Sequence, residues 1–169
     1  MSEEIEEESL ALKISFANRT LQEWETELTR HLPLWPCNSS DMIVAIIDLN
    51  TKYQNATNCL NDLMILYTQA NREFKKKTNL KVAEKLAEYR EAGVVKNIAK
   101  DTIETIVMSE DNELNILKDD AVNIEVVKVF FESNKQKLEK TMMLAKDLLY
   151  SISATERATN RVDTHTSGY

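Results

Sequence analysis

Residues 46–74 read IIDLNTKYQNATNCLNDLMILYTQANREF, and their apolar side chains recur with the spacing of a long packed helix. Large residues fall every seven positions, at Ile46, Tyr53, Leu60, Tyr67 and Phe74. The first four of them are each followed, three positions later, by Leu49, Ala56, Leu63 and Ala70. Alternating steps of three and four place all these side chains on one face of a helix, which is the heptad pattern of a coiled coil or bundle helix. The two alanines favour a multi-helix packing over a leucine-zipper dimer.

A second heptad helix is predicted over residues 113–154. Its seven-residue series is Leu117, Ile124, Phe131, Leu138, Ala145 and Ile152, and its partner row holds Leu114, Ala121, Met142 and Leu149. Lys128 and Lys135 interrupt that partner row. Because an enclosed lysine is costly, we expect only one apolar row to be covered in this middle part.

The same helix is the predicted assembly element of a homo-oligomer larger than a dimer, since the seam of residues 46–74 is longer than a helix with two seam lysines covers well. The predicted oligomerisation residues are Leu117, Ile124, Phe131, Leu138, Met142 and Leu149.

Turn-forming residues are scarce, because the 169-residue chain has only two glycines and two prolines. Sandwiches, barrels and doubly wound sheets need many tight turns, so they are excluded, and so is a glycine-rich phosphate loop. We therefore predict an all-α fold: an elongated helical bundle with long heptad-patterned helices that assembles through coiled-coil-like packing.

The two prolines suggest how the chain is organised. Pro33 and Pro36 end a first helix that the apolar spacing predicts over residues 9–32. We expect three parts: an N-terminal helix with its linker (1–36), a helical core (37–154) and a flexible polar tail (155–169). Within the core, Gly93 is the expected helix stop. Residues 94–107 fit a helix, although the alternation from Thr102 onward also fits a short strand.

Side chains suited to catalysis or metal binding are few. The histidines, His31 and His165, lie in no metal-binding pattern, and Cys37 and Cys59 form neither a disulfide framework nor a C-x-x-C pair. We therefore predict no enzyme activity, no cofactor and no metal. The acidic N-terminus is unlike a signal peptide and no segment resembles a membrane span, so an intracellular location without membrane binding is expected.

Charge is distributed unevenly along the chain, whose net charge is −7. Residues 72–100 hold nine basic and four acidic side chains, whereas residues 101–125 hold one basic and eight acidic ones. This basic island is the candidate nucleic-acid site, because cations spread along a helix reach successive phosphates and an aromatic face stacks on bases. The candidates are Arg72, Phe74, Lys75, Lys76, Lys77, Lys81 and Lys85. The alternative is a solvated helix face, on which the lysines pair with nearby glutamates.

The order of these elements resembles a known family. Segment 49–53 (LNTKY) lies in a long helix that runs into segment 70–77 (ANREFKKK), and segment 105–118 (TIVMSEDNELNILK) leads into the final helix. Over about residues 45–152 this order is similar to the UvsY-type recombination mediators of tailed phages. The resemblance implies a protein that helps to load a strand-exchange recombinase onto single-stranded DNA covered by single-strand-binding protein. It also implies assembly through the C-terminal helix and a location in the host cytoplasm.

A second hypothesis, from another functional class, stays open at this point. The chain could be a structural or adaptor helical phage protein whose heptads bind other helices and whose lysines are solvated. Only the DNA-binding hypothesis requires counterion release from phosphates, so salt-dependent binding to single-stranded DNA distinguishes the two.

Overall fold

The structure is a computed structural model that describes residues 15–93 and 99–166, with side chains up to residue 159. Its elements in chain order are β1 (Ser15–Phe16), β2 (Arg19–Thr20), α1 (Leu21–Glu27), α2 (Ser39–Glu91), α3 (Lys100–Glu110) and α4 (Asn112–Thr166). The helices α2 and α4 contain 53 and 55 residues. The prediction of an all-α helical bundle with long helices is confirmed.

The chain divides into two compact units. Of the described residues, unit 1 contains those up to Leu60 and those from Val129 onward, and unit 2 contains those between Asn61 and Lys128. The predicted boundaries after residues 36 and 154 do not coincide with this division, because α2 and α4 each supply residues to both units.

The core of unit 1 is built from the predicted heptad rows. The buried apolar side chains are Met42, Leu49, Ala56 and Leu60 on α2, Phe131, Leu138, Ala145 and Ile152 on α4, and Leu21, Trp24 and Leu28 in and after α1. Trp24 meets Phe131 edge to face, with ring centroids 5.2 Å apart, which is a favoured geometry for aromatic pairs.

The first predicted helix is wrong where the structure describes its N-terminal part. Residues 15–20 form a hairpin in which Ser15 pairs with Thr20, and Ala17 and Asn18 adopt φ values of 53° and 60°. Positive φ at both central positions suits a tight hairpin turn and is incompatible with a right-handed helix. The side chain of Thr20 then caps α1, which ends at Glu27 rather than at residue 32. Residues 9–14 of that prediction lie outside the described residues.

The row that contains Lys128 and Lys135 is partly covered, although the sequence predicts that only the other row of this helix is covered. In unit 1 the Lys135 ammonium lies 5.5 Å from the centroid of the Tyr53 ring. In unit 2 the Lys128 ammonium lies 5.4 Å from the Tyr67 ring. A cation over an aromatic face gains electrostatic attraction while its stem stays in apolar surroundings. Each half-buried lysine therefore packs against a tyrosine of the α2 heptad row.

Unit 2 contains a small core where α2 meets α3 and the start of α4. Its buried members are Val82, Ile103, Val107 and Leu114. The apolar positions of α2 change here from the heptad rhythm to steps of four, because Phe74 is followed by buried Thr78 and then by Val82. The ambiguous segment is a helix from Lys100 onward, and residues 94–98 lie outside the described part.

Helix ends follow several of the expected signals. Gly93 has a φ of +69° and its N–H donates to the Arg90 carbonyl at 3.2 Å, as expected of a glycine helix stop. At the other long helix, the Asp111 carboxylate accepts the N–H groups of Glu113 and Leu114 and so caps α4.

Residues 155–166, which the sequence predicts as part of a flexible polar tail, are helical. The helix α4 continues through them to Thr166, beyond its predicted end at Ala154. The carboxylate of Glu156 accepts two hydrogen bonds from Ser39 and so attaches this part of α4 to the start of α2. Ile152, one turn earlier on α4, is buried.

Candidate nucleic-acid interface

All seven predicted nucleic-acid residues lie on the C-terminal part of α2, inside unit 2. The helix is regular through them, so positions three or four apart are neighbours on its surface. The structure divides the six cations into two sets of three, one turned toward unit 2's own acidic side chains and the other turned to solvent.

The paired set consists of Lys77, Lys81 and Lys85, which follow one another at steps of four on one flank of α2. Each ammonium faces a carboxylate of the acidic corner, which we define as Glu110, Asp111 and Glu113 between α3 and α4. The Nζ–O distances are 2.5 Å for Lys77 and Glu113, 3.7 Å for Lys81 and Asp111, and 2.8 Å for Lys85 and Glu110. This set also pairs along α2, with Glu73, Glu84 and Glu88.

These contacts shift the titration of two lysines in the direction expected for ion pairs. The hydrogen bond to Glu113 is the main cause that raises the pKa of Lys77 above its ordinary value. In the same way the hydrogen bond to Glu110 raises the pKa of Lys85. Both ammonium groups therefore stay charged at neutral pH, where their charge faces a carboxylate of the same unit.

The outward set consists of Arg72, Lys75 and Lys76, which are all exposed. Within the described residues, no carboxylate lies within 4.0 Å of any of their cationic groups. A surface groove of about 570 Å³ runs beside two of them and is lined by Gln69, Arg72, Glu73, Lys76, Lys77 and Leu80. This set is therefore the part of the basic island that is ready for an external anion.

The aromatic part of the prediction is less accessible. Phe74 is half-buried at its heptad position. Tyr89 packs beside the Val82 core, with the Lys85 ammonium 5.7 Å from its ring centroid. The apolar side chain that reaches the outward surface is Leu80, which is 58% exposed and lines the groove. It interrupts a polar face of α2, and a single apolar residue of this kind gives no sequence signal for a binding role.

The predicted oligomerisation row lies largely inside the chain itself. Phe131 and Leu138 are 0% exposed, and Leu117, Ile124, Met142 and Leu149 are half-buried. Phe131 and Leu138 are therefore enclosed by the chain itself, and a role of this row in assembly stays a prediction. In unit 1 the exposed apolar residues of α4 are instead Val129, Met143, Leu144 and Tyr150.

Other kinds of site find no support in the part of the chain that the structure describes. No group of three or more histidine, cysteine, aspartate or glutamate side chains there is placed to hold a metal ion. Nor does any described helix combine the length and apolar character needed to cross a membrane.

Comparisons with known proteins add no family assignment. No protein-family model matches the chain, and neither the curated proteins nor the solved structures contain a match.

Proposed function

We propose that this protein binds single-stranded DNA through the outward set of α2 and acts as a recombination mediator. The observation that carries the DNA-binding part is the cluster of Arg72, Lys75 and Lys76, exposed and without a carboxylate partner among the described residues. Three such cations on neighbouring turns attract phosphates and release their counterions.

A single strand fits the groove better than a duplex does. Leu80 places an exposed apolar side chain among the cations. In a single strand the base faces are free to contact such a surface, whereas in a duplex they are stacked inside the helix. Such contacts tolerate any base, so we expect binding with little sequence preference.

The remaining parts of the proposal rest on the resemblance to UvsY-type mediators. They are the loading of a strand-exchange recombinase onto single-stranded DNA covered by single-strand-binding protein, assembly into a homo-oligomer larger than a dimer, and an intracellular location. We also propose that the protein is no enzyme and needs no cofactor. Assembly would repeat the small patch along one strand, and linked sites bind far more tightly than one site alone.

The alternative function, a structural or adaptor protein that binds other helices, is favoured by one observation. Met143, Leu144 and Tyr150 are exposed apolar side chains on the same helix α4. Exposed apolar side chains mark contacts with other proteins where they form a contiguous patch.

Fluorescence anisotropy of a labelled oligothymidylate, titrated at several salt concentrations, tests the DNA-binding proposal. The double variant Lys75→Ala/Lys76→Ala should weaken binding, and the slope of log K against log salt should fall by about 0.7 for each lysine–phosphate pair that the substitutions remove. Lys137→Ala/Lys140→Ala is the matched control, since it removes the same charge from exposed positions of α4 in unit 1. Absence of salt-sensitive binding by the unmodified protein would favour the adaptor function.

A further inference from the structure

The paired set of lysines faces three carboxylates from the acidic segment, residues 101–125. Three cations at steps of four on α2 meet Glu113, Asp111 and Glu110, one carboxylate for each cation. A row of oxygen anions that faces a row of ammonium groups resembles, in charge, what a nucleic-acid backbone would offer.

We infer that the acidic corner competes with nucleic acid for Lys77, Lys81 and Lys85 and thereby limits the affinity of the basic island. This inference rests on the proposed DNA-binding function and adds to it a built-in restraint. Its consequence is that the unmodified protein contacts DNA with the outward set, while the paired set becomes available only when the acidic corner releases it.

Glu110 and Glu113 of the acidic corner bond to lysines and do not cap α4. Glu110 and Glu113 have side chains that are more than half exposed, and their carboxylates are bonded to Lys85 and Lys77. Asp111 differs, because one of its oxygens caps α4 through the N–H groups of Glu113 and Leu114. Removing the charges of Glu110 and Glu113 therefore tests the competition without removing the cap.

A competing phosphate has room to reach these lysines. A cavity of about 290 Å³ lies between the two sides and is lined by Lys81, Lys85, Glu88, Glu110 and Asp111, among others. The three lysine side chains keep between 23% and 46% of their surface exposed. Exposed ion pairs are weak and are screened by salt, so an incoming phosphate can replace the carboxylate.

The small core under the corner holds it in place during such an exchange. Ile103 and Val107 on α3 and Leu114 on α4 pack with Val82 of α2, so the carboxylates are presented by a fixed backbone. Only the side chains of Glu110 and Glu113 need to move for Lys85 and Lys77 to be released, whereas Lys81 faces Asp111, the residue that caps α4.

The test compares Glu110→Gln/Glu113→Gln with Asp119→Asn/Asp120→Asn. Both doubles remove two negative charges from unit 2, but Asp119 and Asp120 are exposed residues of α4 outside the acidic corner. Binding of labelled oligothymidylate is measured over a range of salt concentrations, and far-ultraviolet circular dichroism checks that helicity is retained.

We expect the Glu110/Glu113 double to bind more tightly than the control, with a salt slope steeper by about 0.7 for each lysine released, or about 1.4 in all. Adding Lys77→Ala and Lys85→Ala to this double should abolish the increase in affinity. If the Glu110/Glu113 double binds like the control while the unmodified protein binds DNA, the competition is overturned and the proposed function stands. If neither the unmodified protein nor this double binds, both are overturned.

Discussion

Ser39 and Glu156, which are 117 positions apart in the chain, are joined by two hydrogen bonds. The Ser39 hydroxyl donates to Glu156 Oε2 at 2.6 Å, and the Ser39 N–H donates to Oε1 at 3.0 Å. Because Ser39 begins α2, the carboxylate accepts one of the amide groups that a helix start leaves without an intrahelical partner. Unit 1 is thus closed by a contact between the start of one long helix and the distal part of the other.

This contact makes the stability of unit 1 depend on pH. The hydrogen bonds from Ser39 lower the pKa of Glu156, so its stabilising contribution is complete above its unfolded pKa of about 4.3 and is lost as the pH falls through the lower folded value. Glu156→Gln should lower the urea midpoint at pH 7, and the difference from the unmodified protein should shrink below about pH 4. Glu139→Gln, an exposed position on the same helix, should change the midpoint little at either pH. If the difference in urea midpoint between Glu156→Gln and the unmodified protein persists unchanged below pH 4, the ionised Glu156 carboxylate is not its cause.

Thr78 carries a buried hydroxyl in unit 2 whose removal should stabilise the protein. Its side chain is 5% exposed and its Oγ1 has no hydrogen-bond partner among the described residues. Thr78→Val keeps the shape and removes the orphan group, so we expect the free energy of unfolding to rise by about 1 kcal/mol. Urea denaturation followed by circular dichroism measures this change.

The control for Thr78 is Thr68→Val on the same helix. The Thr68 hydroxyl is exposed and donates to the Met64 carbonyl, so its removal should bring no stabilisation. If the two valine variants behave alike, the buried hydroxyl is not the cause.

Leu80 should contribute to DNA binding through the bases rather than through the backbone. Leu80→Asn should weaken binding of oligothymidylate about fivefold, which corresponds to roughly 1 kcal/mol of apolar burial, and should leave the salt slope unchanged. An abasic oligomer of the same length carries the same charge without bases, so its binding should not respond to the substitution. An equal weakening for both oligomers would show that Leu80 touches no bases.

Self-association should depend on the exposed residues of α4 and not on its buried row. Leu138→Ala should lower the free energy of unfolding by about 2–5 kcal/mol, because it opens a cavity in a closed core. Met143→Glu combined with Tyr150→Glu changes only exposed positions, so it should leave helicity intact and split the assembly into smaller particles. Light scattering at micromolar concentration measures the particle mass. A monomeric unmodified protein would overturn the proposed assembly.

Periodicity was sufficient to predict the long helices and most of their buried faces. Leu49, Ala56 and Leu63 on α2 and Phe131 on α4 occupy buried positions that the step of three and four assigns to them. The hairpin at Ala17 and Asn18 could not be predicted, because alanine at positive φ is unusual and leaves no sequence signal. Its stability comes from contacts along the chain, including the hydrogen bond from Trp24 Nε1 to the Phe16 carbonyl at 2.9 Å.

The candidate site was predictable as a set of residues but not as a surface. The count of charges located both the basic island and the acidic segment after it. It could not show that Lys85 would face Glu110 across 25 positions, because that contact depends on how α3 and α4 fold back onto α2. Nor does a heptad pattern distinguish a row that packs within the chain, such as the one containing Leu138, from a row that packs against another copy.

The placement of the two tryptophans gives the molecule a built-in optical reporter. Trp24 and Trp35 are the only tryptophans in the sequence, and both belong to unit 1. Trp24 is buried against Phe131, whereas Trp35 is 75% exposed. Indole emission therefore follows the melting of unit 1 alone, with Trp24 shifting from an apolar to an aqueous environment, while circular dichroism follows the helices of both units. Superimposable melting curves from the two signals would identify a single cooperative transition, and separate curves would give each unit its own melting temperature.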